Sequence, residues 1–193
     1  MKAGAHVLFG ETHGTNEIQR FVADFACAAA KLGPLRVGLE IPVAEQARLD
    51  AFIASAGKAA DRAALHKDSA FWNDAFQDGR RSEAMVALLE SLRELRRRGA
   101  DVRVVAFDAP GDDRDLAMAQ ALERAFAAEP RATFVLLSGN VHARKTAGRF
   151  KQTLMAAQLV KDGATLTTLD ARFGLGTDWV CFGDQPSDCG PVV

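Results

Sequence analysis

The sequence predicts an α/β fold: a three-layer domain with a mainly parallel sheet flanked by helices. Three observations carry that prediction. Short β-branched, apolar runs alternate with stretches of helical apolar spacing along most of the chain. Glycine, proline and capping residues punctuate the junctions. Four of the apolar runs close on polar groups suited to chemistry: Glu11-Thr12-His13, Glu40, Asp108 and Asn140-Val141-His142. Parallel strands would bring all four to one carboxyl edge, where open α/β sheets bind ligands.

Residues 5–10 read as the first strand. Thr15 is placed to cap a helix whose apolar face uses Ile18, Phe21, Val22, Phe25, Ala29 and Leu32, and Gly33-Pro34 ends it. Residues 35–40 form the second strand, and Pro42 opens a helix through about Ser55. Residues 56–81 carry weak periodicity and an aromatic knot at Phe71, Trp72 and Phe76. Ser82 caps a helix with Met85, Leu88, Leu89, Leu92 and Leu95 on one side, and Gly99 ends it. Residues 102–107 are a strand, and a helix runs from about Asp112 to Ala128. A buried strand at 132–138, a helix around 149–161 and strands near 164–170 and 178–182 follow. The last two strands are candidates for antiparallel pairing at an edge, and residues 183–193 read as an irregular tail. With no internal repeat or linker, residues 1–193 read as a single domain.

Of the 193 residues, 48% are hydrophobic and 25% charged, ordinary values for a globular protein. The net charge is −1, and the one basic cluster, Arg96-Arg97-Arg98, complements the dipole at a helix end. Nothing in that charge pattern calls for nucleic acid. No apolar stretch approaches the ~20 residues of a membrane span. No signal segment precedes the first strand, so a cytoplasmic location is the default expectation. Cys27 reads as a buried small residue in an Ala-rich helix. Cys181 and Cys189 read either as free thiols or as a bridge stapling the tail. A bridge would favour a periplasmic or secreted origin for a chain whose signal has been removed.

In Glu11-Thr12-His13 a carboxylate and an imidazole two residues apart share one side of an extended segment. They are the ingredients of a general base with its orienting group. Gly10 and Gly14 let the backbone turn beside them. Glu40 should lie beside Glu11 if the first two strands are neighbours. Two close carboxylates then need a cation between them, which His13, a metal or an arginine would supply. His142 suits a second base, a metal ligand or, protonated, an oxyanion stabiliser. Asn140, Asp108, Arg80 and Arg144 are candidate substrate-binding groups, Arg144 as a clamp for an anion. His6 and His66 lack such company. Gly-x-Gly-x-x-Gly, a Walker lysine and a Gly-x-Ser-x-Gly elbow are all absent, which argues against nucleotide binding and a serine nucleophile.

Gly-Glu-Thr-His-Gly-Thr-Asn-Glu at 10–17, Gly-Leu-Glu at 38–40 and Gly-Asn-Val-His-Ala at 139–143 resemble the erythromycin-esterase-like superfamily. Gln77 to Met85 is similar to a segment of its haem-uptake ChaN-like branch, and the TraB/TIKI-like branch belongs to the same group. The resemblance implies an α/β core and a site built from the motif His and Glu residues. By the macrolide-esterase branch, His13 would be the general base on water. The metalloprotease-like branch implies a divalent metal on related His and Glu positions. The haem branch uses a tyrosine iron ligand in its best-known member, and this chain contains no tyrosine.

The leading expectation is therefore a small hydrolase acting on an ester or related acyl bond of a small-molecule substrate, with no required cofactor. Glu11, His13, Glu40 and His142 would be its catalytic group. One alternative makes His13, Glu40 and His142 ligands of a divalent metal. The other is a haem or small-molecule binding module using an apolar face at Phe71, Trp72 and Phe76.

Overall fold

The computed structural model describes residues 1–146, 153–172, 174, 176–183 and 185–192. Its main sheet contains β1 (His6–Glu11), β2 (Leu35–Pro42), β3 (Val102–Asp108), β4 (Thr133–Gly139) and β5 (Leu166–Asp170). The order is β3-β2-β4-β1-β5, and every pairing is parallel. The helices are α1 (Glu17–Ala29), α2 (Gln46–Ala54), α3 (Ala59–His66), α4 (Glu83–Arg97), α5 (Arg114–Ala128) and α6 (Met155–Lys161).

β4 is buried along its whole length, as its unbroken apolar run requires of a central strand covered on both faces. Alternate side chains serve two cores. Val7, Phe9, Val37, Leu39, Val135 and Leu137 pack with α1, α2 and α4. Leu8, Phe107, Phe134, Leu136 and Leu166 pack with α5 and α6 on the opposite face. Helices on both faces of one parallel sheet make the expected three layers. The chain winds β1, β2, β3 in one direction and then returns to insert β4 between β2 and β1. Such a reversal opens a crevice at the carboxyl ends of the strands.

Several local expectations need correction. Gln19, Val22, Ala26 and Ala29 are the buried residues of α1, whereas Phe21 and Leu32 are exposed. The helix is thus rotated relative to its most apolar stripe, and Gln19 is turned inward. Cys27 is exposed on the same helix, because the adjacent Ala26 takes the buried position. Pro42 closes β2 rather than opening a helix, and a 3-10 turn at Val43–Glu45 precedes α2. The weakly periodic stretch contains α3, whose one buried residue is Leu65. The early part of the helix expected at 149–161 falls outside the described residues up to 152.

The antiparallel pair joins β6 (Asp178–Cys181) to β7 (Cys189–Val192), inside the tail read as irregular. β5 instead pairs parallel with β1. Cys181 and Cys189 face each other in the β6–β7 register and form a disulfide. Among the described residues no helix is long and apolar enough to cross a membrane.

Candidate active site

Glu11 is the last residue of β1 and lies in register with Gly139, the last residue of β4. Glu40 sits where β2 slips its register against β3, between Leu39 and Pro42. An irregularity of this kind re-aims a side chain out of the regular alternation. β1 and β2 are not neighbours as expected from the sequence, because β4 lies between them. Its terminal glycine leaves the gap that the site needs. A β-carbon at Gly139 would stand 3.2 Å from His13 Nε2 and 3.6 Å from Glu40 Oε2.

His13 occupies that gap. Its Nδ1 donates to Glu11 Oε1 at 3.0 Å, and its Nε2 lies 3.7 Å from Glu40 Oε2. The Gln19 amide donates to the other Glu11 oxygen at 2.9 Å, which explains the inward turn of α1. The loop carrying His13 turns at Gly14, where φ is +91° and a β-carbon would come within 2.3 Å of Trp179 Cβ. Trp179 of β6 in turn donates its indole N–H to the Gln77 carbonyl at 2.5 Å. The disulfide-linked hairpin therefore packs over the His13 turn.

Glu40 is 4% exposed and fully engaged: Gly139 N–H donates to Oε2 and Arg114 to Oε1, each at 2.7 Å. Arg114 stands at the start of α5 and ties three strand ends together. Its Nε donates to Asp108 Oδ1 at 2.8 Å, and its Nη1 to His142 Nε2 at 3.1 Å. Arg80 donates to the second Asp108 oxygen at 2.7 Å and to Asp78 at 2.8 Å. The next residue of α5, Asp115, accepts from His142 Nδ1 and from the Met155 amide, both at 2.7 Å. A guanidinium only donates, so His142 Nε2 is the acceptor and the ring proton is assigned to Nδ1.

The two histidines live in different fields. Burial alone would lower His13, but the Glu11 hydrogen bond and the charges of Glu11 and Glu40 outweigh it and push the ring up to about 10. Burial by itself would raise Glu40, but His13 and the charge of Arg114 hold it well below the usual carboxylate range. Glu11 is raised by burial, with the Glu40 charge adding, against the lowering contacts of His13 and Gln19. His13 thus carries the positive charge that two neighbouring carboxylates require.

Glu11, His13, Glu40, His142, Asp108 and Arg80 meet in this one network. Asn140 takes part through its backbone, its amide donating to the Glu11 carbonyl at 2.7 Å. Arg144 is exposed beyond His142, and the guanidinium on that ring belongs to Arg114. Arg114, Asp115 and Gln19 were not singled out from the sequence. The first two look like polar residues of a helix start, and their one signal is the step from Asp108 through Pro110-Gly111 into Asp-Asp-Arg-Asp. Beside Asp108 and Arg114 a cleft of about 480 Å³ opens, walled by Pro42, Val43, Ala109 and Pro110.

The donor set does not fit the divalent metal of the alternative reading. Both Glu40 oxygens and both His142 nitrogens are already engaged, and the Arg114 guanidinium stands among them. Among the described residues no group of three His, Cys, Asp or Glu is placed to hold an ion. The apolar face required of a haem module is also not formed as expected, since Phe71 and Trp72 are buried in the core and the Phe71 ring lies under Arg81.

No family model matches the sequence, and no curated protein matches it. Solved structures share the fold. Two structures described as bacterial protein toxins align with TM-scores of 0.57 and 0.56 at 19% and 17% identity. They cover 86% and 89% of this chain, which spans 34% of each toxin chain. The type III effector HopBA1 aligns with a TM-score of 0.54 at 17% identity, over 97% of this chain and 85% of the effector. At these identities the likeness is one of fold.

Proposed function

We propose that the chain is a small hydrolase of the erythromycin-esterase-like type, in which a histidine-activated water attacks an ester or related acyl bond. The observation that carries this reading is the pair of carboxylate-anchored histidines set against Gly139. His13 is anchored by Glu11 and His142 by Asp115. Each arrangement fixes an imidazole by one nitrogen, the usual construction of an acid–base group. Arg114 and the imidazolium of His13 supply positive charge for an oxyanion. The cleft beside Asp108 and Arg114 would take the substrate's less polar part. The loop motifs quoted for the superfamily are the residues that build this network, which supports the resemblance.

The test is hydrolysis of a panel of p-nitrophenyl esters and small lactones by the purified chain. Turnover that is lost in both His13→Gln and His142→Gln supports the reading. Equal turnover in wild type and in either folded variant overturns it.

A further inference from the structure

Resting on that reading, we infer that His142 is the proton acceptor of the site and that Arg114 and Asp115 are its positioning residues, while His13 is the proton donor. Four contacts carry the assignment. Asp115 takes the Nδ1–H of His142 at 2.7 Å, and Arg114 donates to Nε2 at 3.1 Å. A guanidinium at Nε2 holds the lone pair on that nitrogen and opposes its protonation. His13, by contrast, has a carboxylate near each ring nitrogen, at 3.0 and 3.7 Å. The groups facing His13 are Glu11, Glu40 and Asp178 of the hairpin, whereas those facing His142 are Asp115, Arg114 and Glu40. One ring is framed by acceptors alone; the other has a donor and an acceptor at fixed ends. Environments that push two like groups apart assign the acid and the base.

The step balances. A substrate oxygen that draws the Arg114 Nη1 away from His142 uncovers Nε2, while Asp108 and Glu40 keep the rest of the guanidinium in place. Water gives a proton to His142 Nε2, and its oxygen forms the new bond to the acyl carbon. The acyl–oxygen bond then breaks, and the leaving alkoxide takes a proton from His13. One histidine has gained a proton and the other has lost one, so proton return through solvent restores both. Asp115 and Arg114 are adjacent on α5, so one helix start sets both ends of the His142 ring.

Ring states decide this assignment without a known substrate. The chain has four histidines, few enough for nitrogen-15 spectra to be assigned by single His→Gln variants. At neutral pH His142 should show a protonated Nδ1 and a bare Nε2, and His13 should show both nitrogens protonated. Asp115→Asn should keep the His142 proton on Nδ1, because one oxygen there accepts from both His142 and the Met155 amide, but should move the Nδ1–H resonance upfield as a charged acceptor becomes a neutral one. Should that variant fail to fold, Arg114→Met provides the second reading: the His142 Nε2 nitrogen-15 resonance should move downfield as it loses its hydrogen bond, with the ring proton still on Nδ1. A doubly protonated His142, an Nε2–H tautomer in the wild type, or an unaltered His142 ring in the folded variant overturns the assignment. The ester panel separately decides the hydrolase reading, since its failure would leave the ring states as measured.

Discussion

Arg36 and Arg114 each knit carboxylates together at one end of the same sheet. At the amino edge Arg36 is 2% exposed and donates to Glu129 at 2.7 Å, to Asp101 at 3.0 Å and to the Leu35 carbonyl at 2.8 Å. At the carboxyl edge Arg114 is 40% exposed and donates to Glu40, Asp108 and His142. Both networks satisfy a guanidinium. They differ in what surrounds it. Arg36 is itself the buried charge, and its acidic partners reach solvent. At the carboxyl edge the carboxylate Glu40 is the buried charge, and two histidines stand on either side of it. Satisfied charge alone is a structural device. A buried carboxylate that polarises titratable rings beside a cleft is equipped for chemistry.

The largest effect that would break this contrast concerns the rings. His142→Gln and His13→Gln should each lower turnover of an accepted ester by roughly 100- to 10,000-fold, the usual contribution of acid–base groups. Both variants should retain the wild-type fold by circular dichroism, because each ring lies at the rim of the core. Near-normal rates in either variant would remove the chemical distinction between the two edges.

The next effect is one of stability and belongs to the other edge. Arg36→Met leaves the Leu35 carbonyl without its guanidinium donor, while Asp101 and Glu129 can hydrate. That carbonyl keeps its ladder partner on β3, so the loss is one of hydrogen bonds from a charged donor, about 1.5–3 kcal/mol. Urea unfolding should register that loss with turnover unchanged. Arg114→Met should lower both, turnover through His142 and stability through Glu40, whose buried carboxylate loses its charged donor. If Arg36→Met instead abolishes turnover of an accepted ester, the edges are not functionally separate.

These two networks also mark what could be read from the sequence. Strand runs such as Val102–Phe107 and Phe134–Leu137 were legible because buried parallel strands leave β-branched, apolar signatures. Glu11, His13, Glu40 and His142 were legible because strand ends follow directly from strand runs. The insertion of β4 between β1 and β2 was not, since strand order depends on which faces the helices cover. Gln19 escaped notice because the apolar stripe of α1 pointed elsewhere, toward Phe21 and Leu32. Arg114 and Asp115 were hidden by a local role, as polar residues at a helix start suit the dipole whatever else they do. β7 gave no signal because Cys-Gly-Pro-Val has neither alternation nor length.

A third and smaller effect is the pH dependence of stability. His13 titrates near 6.5 when unperturbed and about 10 in the folded chain. A raised pKa means that the native state binds its proton more tightly. That contribution is complete below the unfolded value and disappears as pH rises through the folded one. The urea midpoint should therefore decline from about pH 6.5 to about pH 10, and His13→Gln should flatten the decline over that window. Glu40 acts with the opposite sign. Its depressed pKa gives stability present above the unfolded carboxylate range and lost in acid. A wild-type midpoint constant from neutral pH to pH 10 would show that His13 does not carry the charge between the two carboxylates.

The smallest global effect is expected from the hairpin. β6 and β7 contribute no residue to either core cluster, and they touch the main body through Trp179 on Gly14 and on the Gln77 carbonyl. The Cys181–Cys189 bridge closes the short segment between them, leaving Cys27 as the free thiol. Denatured but unreduced protein should therefore titrate with one thiol per chain, and three would show that the bridge is not formed. Reduction should leave the urea midpoint of the sheet nearly unchanged, because no core contact is removed. Amide exchange across Asp178–Val192 should nevertheless accelerate, and Trp179 emission should shift red while Trp72 stays in the core. The His13 turn would then lose its cover at Gly14 without losing Glu11 or Glu40. Turnover should change by much less than it does in the ring variants. A collapse of activity on reduction would move the hairpin from cover to component, and the carboxyl edge would have to be redrawn to include it.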